Sequence, residues 1–454
     1  MTPTDAVPDV ADVADVVVVG AGQAGLAVAA HLVRSGFVPA GRTGGPTYVV
    51  LDAAAGPGGA WRERWPGLTM RTVNGVYELP GRALPAFPAD EPASAALTRY
   101  FGDYEQDLGL AVRRPVQVRA VRDDGGLLAV ETVERRGGGE ADGVARPTAP
   151  APDAGSGTRA GVTAPEAPPD PDDGLGCGVG AARAVPGPVP DPGAVGRGRA
   201  TPAPARRRTV RTWHARALVN ATGTWTRPFW PSYPGRDVFA GTQLHTHDYR
   251  TPEELAGRRV LVVGGGISAV QHLLAIHPHA ASTTWVTRRP PDWRDEEFSP
   301  ELGRAAVARV DERTRAGLPP GSIVSATGLP LTPEYRAGID AGVLRARPVF
   351  ARLVPDGAVW DEGAARGPLA AGWVTGPVHE TADVVLWATG FRPALDHLRP
   401  LGLRNAEGGI VVDGTQVVAD PRVQLVGYGP SASTVGANRA GREAVRRVRA
   451  LLGV

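Results

Sequence analysis

Two stretches of this chain share one design. DVVVVGAGQAGLAVAAHLVRSG runs from Asp15 to Gly36, and RRVLVVGGGISAVQHLLAI runs from Arg258 to Ile276. In each, a short β-branched apolar run meets a glycine turn and gives way to apolar residues at helical spacing. Such a run reads as a strand buried on both faces of a parallel sheet. A chain that builds this strand–turn–helix unit twice, about half its length apart, is constrained to an α/β fold. That fold has two doubly wound, Rossmann-like dinucleotide-binding domains.

The glycines of the first turn have separate tasks. Gly20 allows the tight turn, Gly22 lets backbone approach a pyrophosphate, and Gly25 lets helix and strand pack closely. The helix N-terminus then faces the phosphates with its partial positive charge. The next strand, TYVVLD, closes on Asp52, whose carboxylate suits a ribose diol. In the second turn Gly264 and Gly266 take the first two places. Ser268 and Ala269 open the helix, with Ala269 at the third glycine's position. The following strand, STTWVTRRP, ends in Arg288 and Arg289 instead of an acid. Two guanidiniums there suit a ribose 2′-phosphate. The first site therefore fits a dinucleotide with a free 2′-hydroxyl, and the second fits NADPH. Resident FAD reduced by visiting NADPH is the economical assignment.

Composition narrows the remaining classes. A length of 454 residues predicts two or three domains, and 42% hydrophobic residues suffice to build their cores. A formal charge of +2 gives no field that favours nucleic acid or a membrane surface. The arginine clusters at Arg206–Arg208 and Arg442–Arg449 read as solvated faces. The one cysteine, Cys177, excludes a disulfide framework, a redox dithiol and a thiolate metal cluster. His245, His247 and Asp248 stand close together in HTHDY, but no further ligand has suitable spacing, so no metal is expected. The acidic N-terminus has no signal-peptide pattern, and no stretch is long and apolar enough to span a bilayer. A cytoplasmic location is the expectation.

The 60 glycines and 44 prolines are not spread evenly, and residues 136–205 are enriched in both. That segment has no apolar period and few aromatics, and it is expected to be disordered. Strand-like runs flank it, GLLAVETVE before and RRTVRTWHARALVNATG after, which places it at a hairpin tip where length costs little.

FAGTQLHTHDY lies between the two turns, with Phe239, Gly241, His245 and Tyr249 at the spacing FxGxxxHxxx(Y/F). On this segment and its place before the second turn, the chain resembles the class B flavoprotein monooxygenases, of the flavin-containing monooxygenase and N-hydroxylase type. The Baeyer–Villiger subgroup carries Trp where Tyr249 stands. Other segments agree. GGAWRERWPGL resembles the family's GG-x-W segment, which implies that Gly59 and Trp61 lie along the flavin. TVNGVYELPGRALPAFP resembles the stretch that carries an active-site asparagine, here Asn74. VNATG and LWATGFRP resemble the paired passages between domains and bring in Gly223 and Gly390. VQLVGYG followed by ANRAGREAVRRV resembles the last flavin segment and brings in Gly427.

The resemblance implies an order of domains and a reaction. The FAD domain would occupy residues 14–250 and 380–454, with an NADPH domain at 255–379 inserted in it. NADPH would reduce the flavin, and the reduced flavin would take up O2 as a C4a-(hydro)peroxide and pass one oxygen atom to a small-molecule substrate. Asn74 would contact NADP or the peroxide. His245 would either act there directly or brace the linker between domains. The expected partners are a small substrate and O2, with no nucleic acid and no membrane, and a homodimer is entertained. Three alternatives stand beside this reading: a Baeyer–Villiger enzyme, an NADPH-dependent flavin reductase with a protein or quinone acceptor, and a flavin-bound redox sensor.

Overall fold

The structure, a computed structural model, describes residues 12–73, 75–135, 208–295, 300–320, 328–432 and 434–454. Asn74, Cys177 and the insert expected at 136–205 lie outside the described residues.

Two sheets organise the fold. The centre of the larger one is parallel: β1 (Asp12–Val19) lies between β2 (Thr47–Leu51) and β5 (Arg208–Asn220), and β11 (Val423–Leu425) flanks β5. Register runs from Val16 opposite Tyr48 to Val19 opposite Leu51, and Val19 also stands opposite Asn220. An antiparallel pair, β3 (Val116–Asp124) and β4 (Leu127–Arg135), joins on through β4, which pairs with β5 from Leu128–Ala215 to Arg135–Arg208. The flanking strands of the insert thus form the expected hairpin.

The apolar run at the heart of β1 is buried on both faces. Val16 and Val18 pack with Leu26, Val28 and Leu32 of α1 (Gln23–Arg34) and with Val445 and Val448 of α4 (Thr434–Leu452). Val17 and Val19 pack on the other side with Trp213, Leu218 and Leu425. Full burial of one such side chain is worth about 1.5–3 kcal/mol, so this run alone commits the chain to the sheet.

The smaller sheet is all parallel, in the order β9 (Ala346–Pro348), β8 (Ser282–Thr287), β7 (Arg259–Val263), β10 (Val384–Trp387), β6 (Thr242–His245). Helix α3 (Ile267–Ile276) covers one face through Ala269, Val270 and Leu273. β6 and β10 are hydrogen-bonded into this second sheet from Thr242–Val384 to His245–Trp387. Backbone pairing decides this, and a strand's own residues do not reveal its partner. The charged segment after Arg294 includes a helix, Pro300–Arg315.

The chain passes between the sheets twice, and the two passages pair with each other. Phe229 N–H donates to Gly390 O at 2.9 Å, Arg392 N–H to Arg227 O at 2.8 Å, and Ala394 N–H to Gly223 O at 2.9 Å. An ion pair between Arg227 and Asp396 lies beside them. Among the described residues no helix is long and apolar enough to cross a membrane, and no group of three or more His, Cys, Asp or Glu is placed to hold a metal.

Candidate functional site: two glycine turns and the crevice between them

The two turns are built alike. Gly20 N–H donates to Leu51 O at 2.8 Å, and Gly264 N–H donates to Val286 O at 2.9 Å, so each turn is held by the neighbouring strand. Each also presses on the end of the opposite strand. A Cβ on Gly20 would stand 2.6 Å from Ala221 O, and one on Gly264 would collide with Ala388 O. Ala221 N–H and Ala388 N–H return to Val19 O and Val263 O, both at 2.8 Å. The ATG passages, with Gly223 and Gly390, therefore follow directly from the strand that braces each turn.

Helices α1 and α3 begin at Gly22 and Gly266 with no side-chain cap and no acid in the first turn. Helix Pro333–Asp340 shows the contrast: Thr332 caps it and Glu334 sits in its first turn. Uncapped N–H groups at a helix N-terminus suit an anion. Around α1 the structure gathers more of the expected residues. The turn Gly59–Glu63 packs its backbone on the glycine turn, and a Cβ on Gly59, whose φ is +53°, would lie 2.7 Å from Gly22 Cα. Gly427 approaches Ala24 and is fixed by its N–H donating to Ser431 Oγ at 3.0 Å. Gln23 at the helix start donates to Tyr77 O at 2.8 Å, while its Oε1 is shielded from solvent with no partner. Gly25 packs against Gly20, where any side chain would collide. This narrow, uncapped, part-satisfied cradle fits the pyrophosphate end of a dinucleotide.

Asp52 lies just past β2 and is buried. Its Oδ2 accepts from Arg114 Nε at 2.6 Å, and Arg114 also grips Glu105 with both terminal nitrogens, at 2.6 and 2.7 Å. Burial opposes the charge on Arg114, but the hydrogen bonds to Glu105 and Asp52 outweigh it and raise its pKa above the ordinary value. Arg114 thereby fixes the orientation of the Asp52 side chain.

In the second site Ser268 and Ala269 lie in the first turn of α3, half-buried and fully buried respectively. Gly265 stands where a Cβ would be 3.9 Å from Thr287 Cγ2. Arg288 and Arg289 follow Thr287 directly and are exposed. The turn and the two guanidiniums thus share one end of the sheet.

His245 ends β6 with no exposed surface. Its Nδ1 accepts from His247 N–H at 3.1 Å, which leaves Nε2 as the protonated nitrogen, and Nε2 lies 3.0 Å from Gly390 O. Both ring nitrogens are occupied by backbone. Burial keeps the imidazole neutral and holds its pKa down at about 4. A neutral histidine bonded to backbone at both ring nitrogens braces the second passage.

Trp61 is partly buried and packs on clusters from both sheets. Sequence reasoning missed its neighbour Arg64, whose guanidinium lies 4.0 Å from the Trp225 ring centroid. Trp225 in turn contacts Phe391 at 4.8 Å and His247 at 5.1 Å. Tyr249, the last residue of the FxGxxxHxxxY segment, is buried against Trp65 and His272. An arginine between two tryptophans in WRERW was the available signal, but nothing local says which arginine turns inward.

The pyridine nucleotide-disulphide oxidoreductase family matches residues 207–318. Among curated proteins, an indole-3-pyruvate monooxygenase of Oryza sativa subsp. japonica is 28% identical over 287 residues, 63% of this chain and 50% of its own. A trimethylamine monooxygenase of Pelagibacter ubique is 36% identical over 72 residues, 16% of each chain. The chain thus spans half or less of the length of these curated relatives. A solved flavin-containing monooxygenase of Stenotrophomonas maltophilia is 30% identical, with a TM-score of 0.65, over 97% of this chain and 99% of that one.

Proposed function

The chain belongs to the flavin-containing monooxygenase family, whose members use FAD and NADPH, and from that premise we propose that it inserts one oxygen atom of O2 into a small organic molecule. One observation carries the reading. Two glycine turns open onto uncapped helix N-termini, and the strand beside the first ends in a fixed carboxylate while the strand beside the second ends in two guanidiniums. This is the arrangement for two different dinucleotides in one chain.

The bound flavin supplies the chemistry of oxygen activation. The residues of this chain hold, orient and shield. The α1 N-terminus and Gly22 take the FAD pyrophosphate, and Asp52 takes the ribose through Oδ1. Gly59 and Trp61 set the depth at which the flavin ring lies, and Gly427 closes the cradle from the other side. Gly264, Gly266, Ser268 and Ala269 receive the NADPH pyrophosphate, and Arg288 and Arg289 receive its 2′-phosphate. His245 acts as a positioning residue that sets the Gly390 passage. Asn74 retains the role expected from the resemblance, a polar contact near the reacting centre.

We read the FAD domain as the larger sheet with its helices and the NADPH domain as the smaller sheet, with Thr242–His245 and Val384–Trp387 included in the latter. The protein is proposed to be a cytoplasmic homodimer. The printed substrates of its relatives, indole-3-pyruvate and trimethylamine, share no charge or shape, so the family alone names no substrate class.

The test is isotopic. Purified holoprotein with NADPH and 18O2 should put one labelled atom into product per NADPH oxidised, with water taking the other. If NADPH is oxidised at full rate under argon with a quinone, and no label enters any organic product in air, the reductase reading replaces this one.

A further inference from the structure

Arg64 caps the Gly59–Glu63 turn, with its N–H on Trp61 O at 3.0 Å. The backbone turns its side chain inward, where the guanidinium lies over Trp225 at 4.0 Å and beside Trp61 at 5.7 Å. Its Nε is shielded from solvent and has no hydrogen-bond partner. Among the described residues the guanidinium makes no hydrogen bond and no ion pair. The nearest acid in sequence, Glu63, is engaged elsewhere and accepts from Trp225 Nε1 at 3.3 Å. Two other shielded arginines are matched: Arg114 holds Asp52 and Glu105, and Arg347 holds Glu380. Burial pulls the Arg64 pKa down to about 10, which still leaves it charged at neutral pH.

A half-buried guanidinium whose Nε has no hydrogen-bond partner carries a desolvation cost, and stacking on an indole returns only part of it. Such a group is suited to an anion delivered from outside. The two dinucleotides already have their own phosphate sites at α1 and α3. A third anion-seeking group therefore remains beside the Gly59–Glu63 turn, and its surroundings are aromatic: Trp61, Trp225 and Phe391. The planar fork of a guanidinium matches a carboxylate, and flat rings beside it suit an apolar body.

We infer that Arg64 recognises the carboxylate of the substrate, which is thus an organic acid with an apolar or aromatic body held against Trp61 and Trp225. This rests on the proposed oxygenation function and names the substrate class for it. The phosphates of NADPH are the competing source of the same oxyanion chemistry.

The experiment reads binding in the oxidised holoprotein without turnover, so it stands whether or not the protein proves to oxygenate anything. Arylacetates, 2-oxo acids and α-amino acids are titrated against their neutral amides, and the flavin absorbance shift reports Kd. In the unaltered protein at least one acid should bind tenfold or more tighter than its amide. Arg64→Met should abolish that preference, Arg64→Lys should keep part of it, and the Kd for NADP+ should stay within twofold in both. Arg64→Met should also leave the melting temperature unchanged or raised, because it removes an uncompensated charge. A drop of several degrees would assign Arg64 to stability instead. Retained acid preference in Arg64→Met, a tenfold loss of NADP+ affinity, or no acid preference in the unaltered protein would each overturn the inference.

Discussion

Arg114 and Asp52 form a buried ion pair at the end of β2, Nε to Oδ2 at 2.6 Å, and Glu105 of α2 (Ala93–Asp107) holds the other edge of the same guanidinium. One arginine therefore fixes both the carboxylate proposed to take the ribose and the helix behind it. Removing one partner of such a pair leaves a buried charge uncompensated and costs about 3–5 kcal/mol. Arg114→Met should lower stability to denaturant by an amount of that order and weaken FAD retention on dilution. An unaltered denaturation midpoint would show that water reaches this pair freely.

Gly59 predicts a sharper effect on the cofactor. An alanine there must hold a left-handed φ and also drive its methyl into Gly22, where the clearance is 2.7 Å. Gly59→Ala should purify with much less flavin, read as the ratio of visible to ultraviolet absorbance, while its circular dichroism stays close to that of the parent. Gly36→Ala is the control, since nothing lies within 4 Å of a Cβ at that equally left-handed position.

The tether from His245 to Gly390 should respond to the geometry of its replacement. A glutamine places an amide N–H close to where Nε2 stands, whereas alanine leaves the Gly390 carbonyl short of a donor. His245→Ala should raise KM for NADPH several-fold and cost about 1–3 kcal/mol of stability, and His245→Gln should recover part of both. Loss of kcat alone, with KM unchanged in both variants, would assign the ring a direct part in the chemistry.

Acid should weaken the fold through its buried imidazoles. Burial holds His245 and His397 at about 4 and His272 at about 3, against 6.5 for an exposed ring. The unfolded chain takes up protons below pH 6.5 that the folded chain refuses. Stability is therefore complete above that pH, falls as pH drops toward 4, and levels off once the folded rings also protonate. Each ring held at about 4 withdraws up to about 3 kcal/mol across that window. Urea midpoints measured from pH 7 to pH 4.5 should fall steadily, and the slope should flatten in His397→Asn. A flat profile would contradict burial of these rings as neutral groups.

Coenzyme choice tests the second strand end. Arg288→Glu should weaken NADPH use by tenfold or more with little change for NADH. Equal losses for both would remove the phosphate role from this position.

The parts that were legible in the sequence are those encoded within one local stretch. The runs around Gly20 and Gly264, the acid at Asp52 and the hairpin strands on either side of the insert all follow from neighbouring residues. What escaped is set by contacts across the chain. Arg114 meets Asp52 from 62 positions away, and Trp225 meets Glu63 from 162 positions away. The place of β6 and β10 in the second sheet escaped for the same reason, since they join it only through each other and β7. His245 was legible as a special residue, but its task was not, because the tautomer depends on two backbone groups that the sequence does not bring together.

The paired passages have a mechanical consequence. A lone connector lets two bodies twist freely about it, whereas two connectors bonded side by side through Arg227–Arg392 and Phe229–Gly390 behave like the leaves of a door hinge. Swing about one axis stays cheap, and torsion requires those bonds to break. Nicotinamide carried by the smaller sheet would then sweep along a single arc toward the flavin and return along the same arc to let product out.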